Sequence, residues 1–142
     1  MNYQGAEWHE AVKEASLTET VYKSRSAGWF YRWQNLILGC PNGMDKLVTW
    51  EVRNSAIVSV ILEEKPTPSD YIDQKFDRGK FKARFRAPYE VFIRLHKQEV
   101  TAMVAIGSGE YIIDGDVTDV MKNIDYIDAF IDLTALVPAN YD

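Results

Sequence analysis

The sequence predicts one α+β domain, a five-stranded, mostly antiparallel sheet covered by helices. Three observations carry this. Residues 47–53, 56–62 and 81–87 alternate apolar and polar side chains, the two-residue period of half-buried strands. Residues 117–131 instead hold a wide apolar face at helical spacing. A chain of 142 residues, 46% hydrophobic, suits a single core of ordinary size.

The elements follow in order. Trp8, Ala11, Val12 and Ala15 form one stripe of an opening helix. Ser16 and Glu19 have the spacing of a capping box that starts a second short helix bearing Leu17, Val21 and Tyr22. Gly28 ends this N-terminal helical unit, residues 1–28. Residues 29–38 are aromatic and β-branched, with Trp29, Tyr31 and Trp33 on one face but Leu36 and Leu38 on the other. A bulge is the expected reconciliation. Residues 39–43 turn the chain. The next strand faces inward with Val48, Trp50 and Val52, reverses at Asn54-Ser55, and returns with Val58, Val60 and Leu62 inward. Residues 63–79 are a polar loop, with a short helical turn expected near 70–74. In the fourth strand Phe81, Ala83, Phe85 and Ala87 alternate with Lys82, Arg84 and Arg86. Pro88 then opens a helix with the stripe Tyr89, Phe92, Ile93 and His96. Val100, Met103, Val104 and Gly107 predict the inward face of another short helix. A fifth strand spans 111–115, and Asp116 caps a last helix whose apolar face runs from Val117 through Val120, Met121, Ile124, Ile127 and Phe130 to Ile131.

Composition excludes several classes. No apolar run reaches the roughly 20 residues that span a bilayer, and the first residues lack the basic flank and apolar run of a secretory signal. One cysteine, Cys40, rules out an internal disulfide and a cysteine cluster, so a reducing cytoplasm is expected. A net charge of −5 argues against a dedicated nucleic-acid binder. The charge is unevenly placed: residues 75–97 hold eight cations against two carboxylates, and residues 98–142 hold nine carboxylates against one cation. Either the cationic stretch steers an anionic ligand or surface, or the two stretches pair with each other.

Chemistry-bearing motifs are weak. Asp114, Asp116 and Asp119 lack the glycine and closing glutamate of a calcium loop. Ser108 between two glycines precedes a strand and so is no nucleophile elbow. His9 has no second histidine at zinc-protease spacing. His96 is expected to be a partly exposed histidine at a helix end, and Cys40 a structural thiol. No catalytic residue, metal site or cofactor is expected. Aromatics and cations alternate on the fourth strand, so they do not share the one face that a nucleic-acid stacking platform needs.

The order of elements from Trp29 to Leu133, with Phe81-Lys-Ala-Arg-Phe-Arg-Ala-Pro-Tyr-Glu-Val-Phe92 and Val104-Ala-Ile-Gly-Ser-Gly-Glu-Tyr-Ile-Ile-Asp-Gly-Asp116, resembles the sterol carrier protein type-2 family. The resemblance covers residues 29–133. It implies non-enzymatic binding or transfer of a lipid-like molecule, such as a fatty acyl group, acyl-CoA or sterol, in an apolar tunnel. The expected walls are Phe85, Phe92, Val100, Met103, Val104, Ile112, Val120, Met121, Ile124, Ile127 and Phe130, with the last helix as lid. Methionine suits such irregular walls. Lys82, Arg84 and Arg86 are expected to form a solvated or internally paired sheet face; the alternative is that they attract an anionic head group or membrane surface. The alternatives are an interaction or dimerisation module with a filled core, docking on a partner or as a homodimer, and, last, an enzyme using the cavity as substrate pocket.

Overall fold

A computed structural model describes all residues, 1–142. Helices α1 (Ala6–Thr18) and α2 (Thr20–Arg25) precede three meandering strands, β1 (Tyr31–Cys40), β2 (Met44–Arg53) and β3 (Ala56–Pro66). After the loop come β4 (Ala83–Pro88), α3 (Tyr89–His96), α4 (Ala102–Gly107), β5 (Ile112–Gly115), α5 (Val117–Lys122) and α6 (Ile124–Ala135). The five strands form one sheet in the order β3-β2-β1-β4-β5, antiparallel except for the β1–β4 pair, which is parallel. No helix is long and apolar enough to cross a membrane.

Two expected details are corrected at the N-terminus. Ser16 does not cap a second helix. It lies inside α1, donates to the Lys13 carbonyl and accepts from the Ile57 amide, which pins the helix to β3. Glu19 is the residue between the helices.

β1 needs no bulge at the point where its apolar face changes, because both faces are covered. Trp33 and Ile37 point into the main core, whereas Leu36 packs with Leu47 and Tyr71 on the other side, with Leu38 against them. In β3 a bulge does occur: Glu51 pairs Ser59, but Val52 pairs Ile57. The extra residue turns Ile57 inward, 2% exposed, and Val58 outward, 41% exposed. Val58 is therefore not a core residue, while Val60 and Leu62 pack against the core as expected. The Asn54-Ser55 reversal has φ of 46° and 78°, the two positive values that a tight primed hairpin turn requires.

Residues 63–66 are not loop as expected but extend β3 along β2; the loop that follows crosses the outer face of the sheet to carry the chain from edge strand β3 to β4. Its 3₁₀ turn, Tyr71–Asp73, seats Tyr71 on Leu36 and Leu47. Asp45 anchors it: one carboxylate oxygen accepts from the Gly39 amide (2.9 Å) and Thr67 hydroxyl (2.6 Å), the other from the Ser69 amide (3.0 Å) and hydroxyl (2.5 Å). Burial opposes ionisation of Asp45, and these hydrogen bonds outweigh it, so the carboxyl titrates below its usual range.

The same loop uses up part of the cationic face of β4. Arg84 is buried; its Nε donates to Asp114 Oδ2 (2.9 Å), and its Nη1 to the Tyr71 and Gln74 carbonyls. Arg86 donates to the same Asp114 oxygen (3.0 Å). Arg84 thus serves the fold, and Arg86, half-buried, shares its carboxylate; of the three, only Lys82 is exposed and without a carboxylate. Removing one partner from a buried ion pair strands the other charge. Asp114→Ala should lower unfolding stability by about 3 kcal/mol in a denaturant titration. A loss below ~1 kcal/mol would show that the Arg84 contacts to the loop carbonyls suffice.

Candidate functional site

The inner face of the sheet and the helices enclose the main core, and within it lies a cavity of about 30 Å³. That is room for about two water molecules, not an open tunnel. Its walls come from most of the chain. The sheet contributes Trp33 and Asn35 from β1, Trp50 from β2 and Phe85 from β4. Helix α3 adds Phe92, Leu95 and His96, and α6 adds Ile127, Phe130, Ile131 and Thr134. Trp29 and Tyr111 complete the sides. The first residues close the bottom: Tyr3, Gln4 and Trp8 line the cavity too. Tyr3 donates to the Phe92 carbonyl (2.8 Å) and Trp8 to the Val137 carbonyl (3.0 Å), so both chain ends are tied across the core.

The aromatic packing is dense. Trp33 and Trp50 stack at 6.2 Å between centroids, and Phe130 of α6 meets each edge-on at 4.9 Å. Trp29 stacks on both Tyr31 and Trp33. Such pairs stabilise beyond their buried area.

Of the expected wall residues, Phe85, Phe92, Ile127 and Phe130 line this cavity. Val120 is fully buried elsewhere in the core; Val100, Met121 and Ile124 are half-buried and do not reach it. Met103, Val104 and Ile112 are 55%, 61% and 40% exposed. Helix α4 turns Ala102 and Ala105 inward, so its larger side chains face solvent. On β5, the pleat that brings Ile113 against the core sends Ile112 out. The expected lid is also two helices, not one. The chain breaks at Asn123, whose side-chain amide donates to the Asp119 carbonyl, and only α6 roofs the cavity. Val117 is half-exposed on α5. Asp116 caps α5 as expected, accepting from the Asp119 amide.

Two titratable groups of the cavity wall, Tyr3 and His96, are committed to partners. His96 is 7% exposed, not a partly solvated helix-end histidine. Its Nε2 lies 2.9 Å from the Val137 carbonyl and its Nδ1 2.5 Å from the Tyr141 hydroxyl. Asp114 lies on the opposite face of the sheet with Arg84, so it shares no pocket with His96. Burial pushes the Tyr3 and Tyr111 hydroxyls well above their usual range and the Cys40 thiol up to about 12, which supports an unreactive, structural Cys40. Behind the cavity wall, His9 is 1% exposed and bonds Gln4 Oε1 at 2.8 Å. Desolvation lowers its pKa to about 3. Tyr3 and Gln4 carry no sequence signal, and Trp8 reads only as part of a helical stripe, because nothing local ties the first residues to a cavity built by β1, β2 and α6.

Three solved structures share this architecture. A conserved hypothetical protein of Thermus thermophilus superposes with a TM-score of 0.74 at 8% identity, covering 97% of this chain and 91% of that one. A crystal structure of sterol carrier protein 2 gives 0.73 at 9%, covering 93% and 96%. Palmitated SCP2L2 from Aedes aegypti gives 0.52 at 12%, covering 84% and 89%. The chain therefore has the sterol carrier protein 2 fold. No protein-family model and no curated protein matches the sequence.

The state of His9 makes stability depend on pH. Unfolded, the imidazole takes a proton near pH 6.5; folded, it stays neutral until about pH 3. The unfolded chain therefore binds the extra proton between these values, and stability falls as pH drops through that window. From pH 7 to 5 this group should remove about 2 kcal/mol. In paired denaturation series, His9→Gln should lose that part of the pH dependence; parallel curves for the two proteins would refute the assignment.

Proposed function

We propose that this protein binds an apolar small molecule, a fatty acyl, acyl-CoA or sterol-like compound, between α6 and the sheet, and does no chemistry on it. The observation that carries the reading is the cavity under α6, walled by aromatic and aliphatic side chains and roofed by a single helix. The fold adds support, since one protein that shares it is named as palmitated.

The present cavity is far smaller than an acyl chain, so binding requires α6 to move. Its attachments suit that. The Asn123 break separates α6 from α5. On its outer side the helix is held through Asp132, which accepts from Arg25 (2.5 Å) and Gln98 (2.8 Å), both exposed contacts of small net worth. The chemistry of the lining supports a binder. No carboxylate, lysine or arginine lines the cavity, and both ring nitrogens of His96 are engaged.

A cationic groove on the other side of the sheet suits delivery. Arg32, Arg53, Arg78, Lys80 and Lys82 surround an open groove near the start of β1, beside Phe30, which is 64% exposed. Glu51 is the one carboxylate in it, and it pairs Arg53 and Arg32. Arg78, Lys80 and Lys82 take the place of Arg84 and Arg86 in drawing the protein to an anionic bilayer, where each nearby cation strengthens adsorption about fivefold.

Two measurements test these readings. Native mass spectrometry of the purified protein should detect an apolar guest, and fatty acids or acyl-CoA at a hundredfold excess over Kd should raise Tm by roughly 5–10 °C. No guest and no shift would reject ligand binding. Sedimentation with vesicles should show adsorption to phosphatidylserine-containing but not neutral vesicles. The triple change Arg78→Gln, Lys80→Gln, Lys82→Gln should reduce it by at least tenfold, while Lys13→Gln, Lys23→Gln, Lys122→Gln should not. Equal loss in both triples would leave net charge as the cause and reject the groove.

A further inference from the structure

Two buried polar atoms of residues that line the cavity have no partner. Asn35 Oδ1 and Trp50 Nε1 are both buried, in residues 7% and 1% exposed, and neither makes a hydrogen bond within the protein. Both residues line the same cavity. They sit on neighbouring strands of the same sheet face: Trp50 pairs Trp33, two residues before Asn35, so the two are diagonal neighbours. An unpaired buried donor and acceptor destabilise a fold, and an apolar isostere would remove the cost. A protein that keeps both in a cavity walled mostly by apolar side chains breaks a local rule at the place where a guest would be recognised.

The pair has a specific chemistry. The indole N–H can only donate, and the amide oxygen can only accept. A hydroxyl satisfies both at once, accepting from Trp50 and donating to Asn35. A carboxylate has no proton to give Asn35 and would be buried where no lysine or arginine lines the wall. An ether or ester oxygen answers Trp50 alone. We infer that the cavity's polar end selects an uncharged guest that carries a hydroxyl, held between Trp50 Nε1 and Asn35 Oδ1. The inference rests on the proposed ligand binding and names the class of guest: an apolar alcohol in preference to an acid of equal length. The site would bury the hydroxyl at the inner end of the guest instead of leaving it at the surface.

The test compares dodecan-1-ol, dodecyl methyl ether and dodecanoate on the native protein at pH 7.5. Nitrogen–proton spectra report the indole N–H of each tryptophan, with Trp50 assigned by loss of its signal in Trp50→Phe. The alcohol should bind at least tenfold more tightly than either other probe and should move the Trp50 indole resonance. Asn35→Leu removes the acceptor and keeps the branched four-atom side chain. It should bring alcohol and ether within threefold of each other while Tm holds or rises, a result that a merely structural asparagine would not give. Equal binding of alcohol and ether by the native protein, or an unmoved Trp50 indole signal on alcohol binding, would overturn the hydroxyl assignment alone. So would a Tm loss in Asn35→Leu with the alcohol preference retained. Failure of all three probes to bind would overturn the ligand reading on which it rests.

Discussion

The parallel pairing of β1 with β4 is the constraint from which the rest follows. The three meandering strands end on β3, at the far edge of the sheet from the place β4 must take. Parallel neighbours cannot be joined by a tight turn, so the chain has to cross a face. Here the crossing is a polar loop that needs polar anchors, and Asp45 at one end and Arg84 at the other provide them. Tyr71 covers the outer apolar spot made by Leu36 and Leu47. With the outer face closed so thinly, α1, α3 and α6 stack on the inner face, and the only thick core, with its cavity, lies there.

The uneven charge of the chain is resolved by the same arrangement. Asp114 takes Arg84 and Arg86, and Glu110 takes Arg94, so part of the cationic stretch is matched by the acidic one. Arg78, Lys80 and Lys82 stay unmatched at the rim of the groove. A strand whose pleat buries Ala83, Phe85 and Ala87 must send its cations to the other side, and the loop then decides which of them remain in water.

What could be read from the sequence was whatever a short window determines. The alternation of β2, the Asn54-Ser55 reversal, the turn near Tyr71 and the Asp116 cap are all local, and all stand in the structure, whereas the first residues of the expected loop, 63–66, extend β3. Misreadings arose where a choice was settled by distant partners. Val58 and Ile57 exchange places because a bulge against Val52 shifts the register, and periodicity alone cannot see an extra residue. Met103 and Val104 outweigh Ala102 and Ala105 in hydrophobicity, yet a six-residue helix close to the core has room only for its alanines. Ser16 has the spacing of a cap, but β3 claims its hydroxyl. Four of the sixteen residues that line the cavity were legible as walls, for the same reason. Phe85, Phe92, Ile127 and Phe130 lie on faces that period and pleat identify, whereas Tyr3, Gln4 and Trp8 reach the cavity only because the two chain ends meet beneath it.

On the proposed reading, the energetics of the roof set a minimum size for the guest. Lifting α6 uncovers Ile127 and Phe130, each worth about 1.5–3 kcal/mol when buried, and parts the edge-on contacts of Phe130 with Trp33 and Trp50, about 0.5–1.5 kcal/mol apiece. Opening thus costs about 4–9 kcal/mol before any guest is held. A guest returns about 0.8 kcal/mol for each methylene it buries, so roughly 5–11 methylenes only restore the balance. Molecules shorter than that cannot keep the helix raised, whatever their polar end. A hydroxyl between Trp50 and Asn35 adds specificity on top of this balance, because it relieves two groups that the closed protein leaves unpaired. Length then decides whether the interior opens, and the polar pair decides which of the long molecules it keeps.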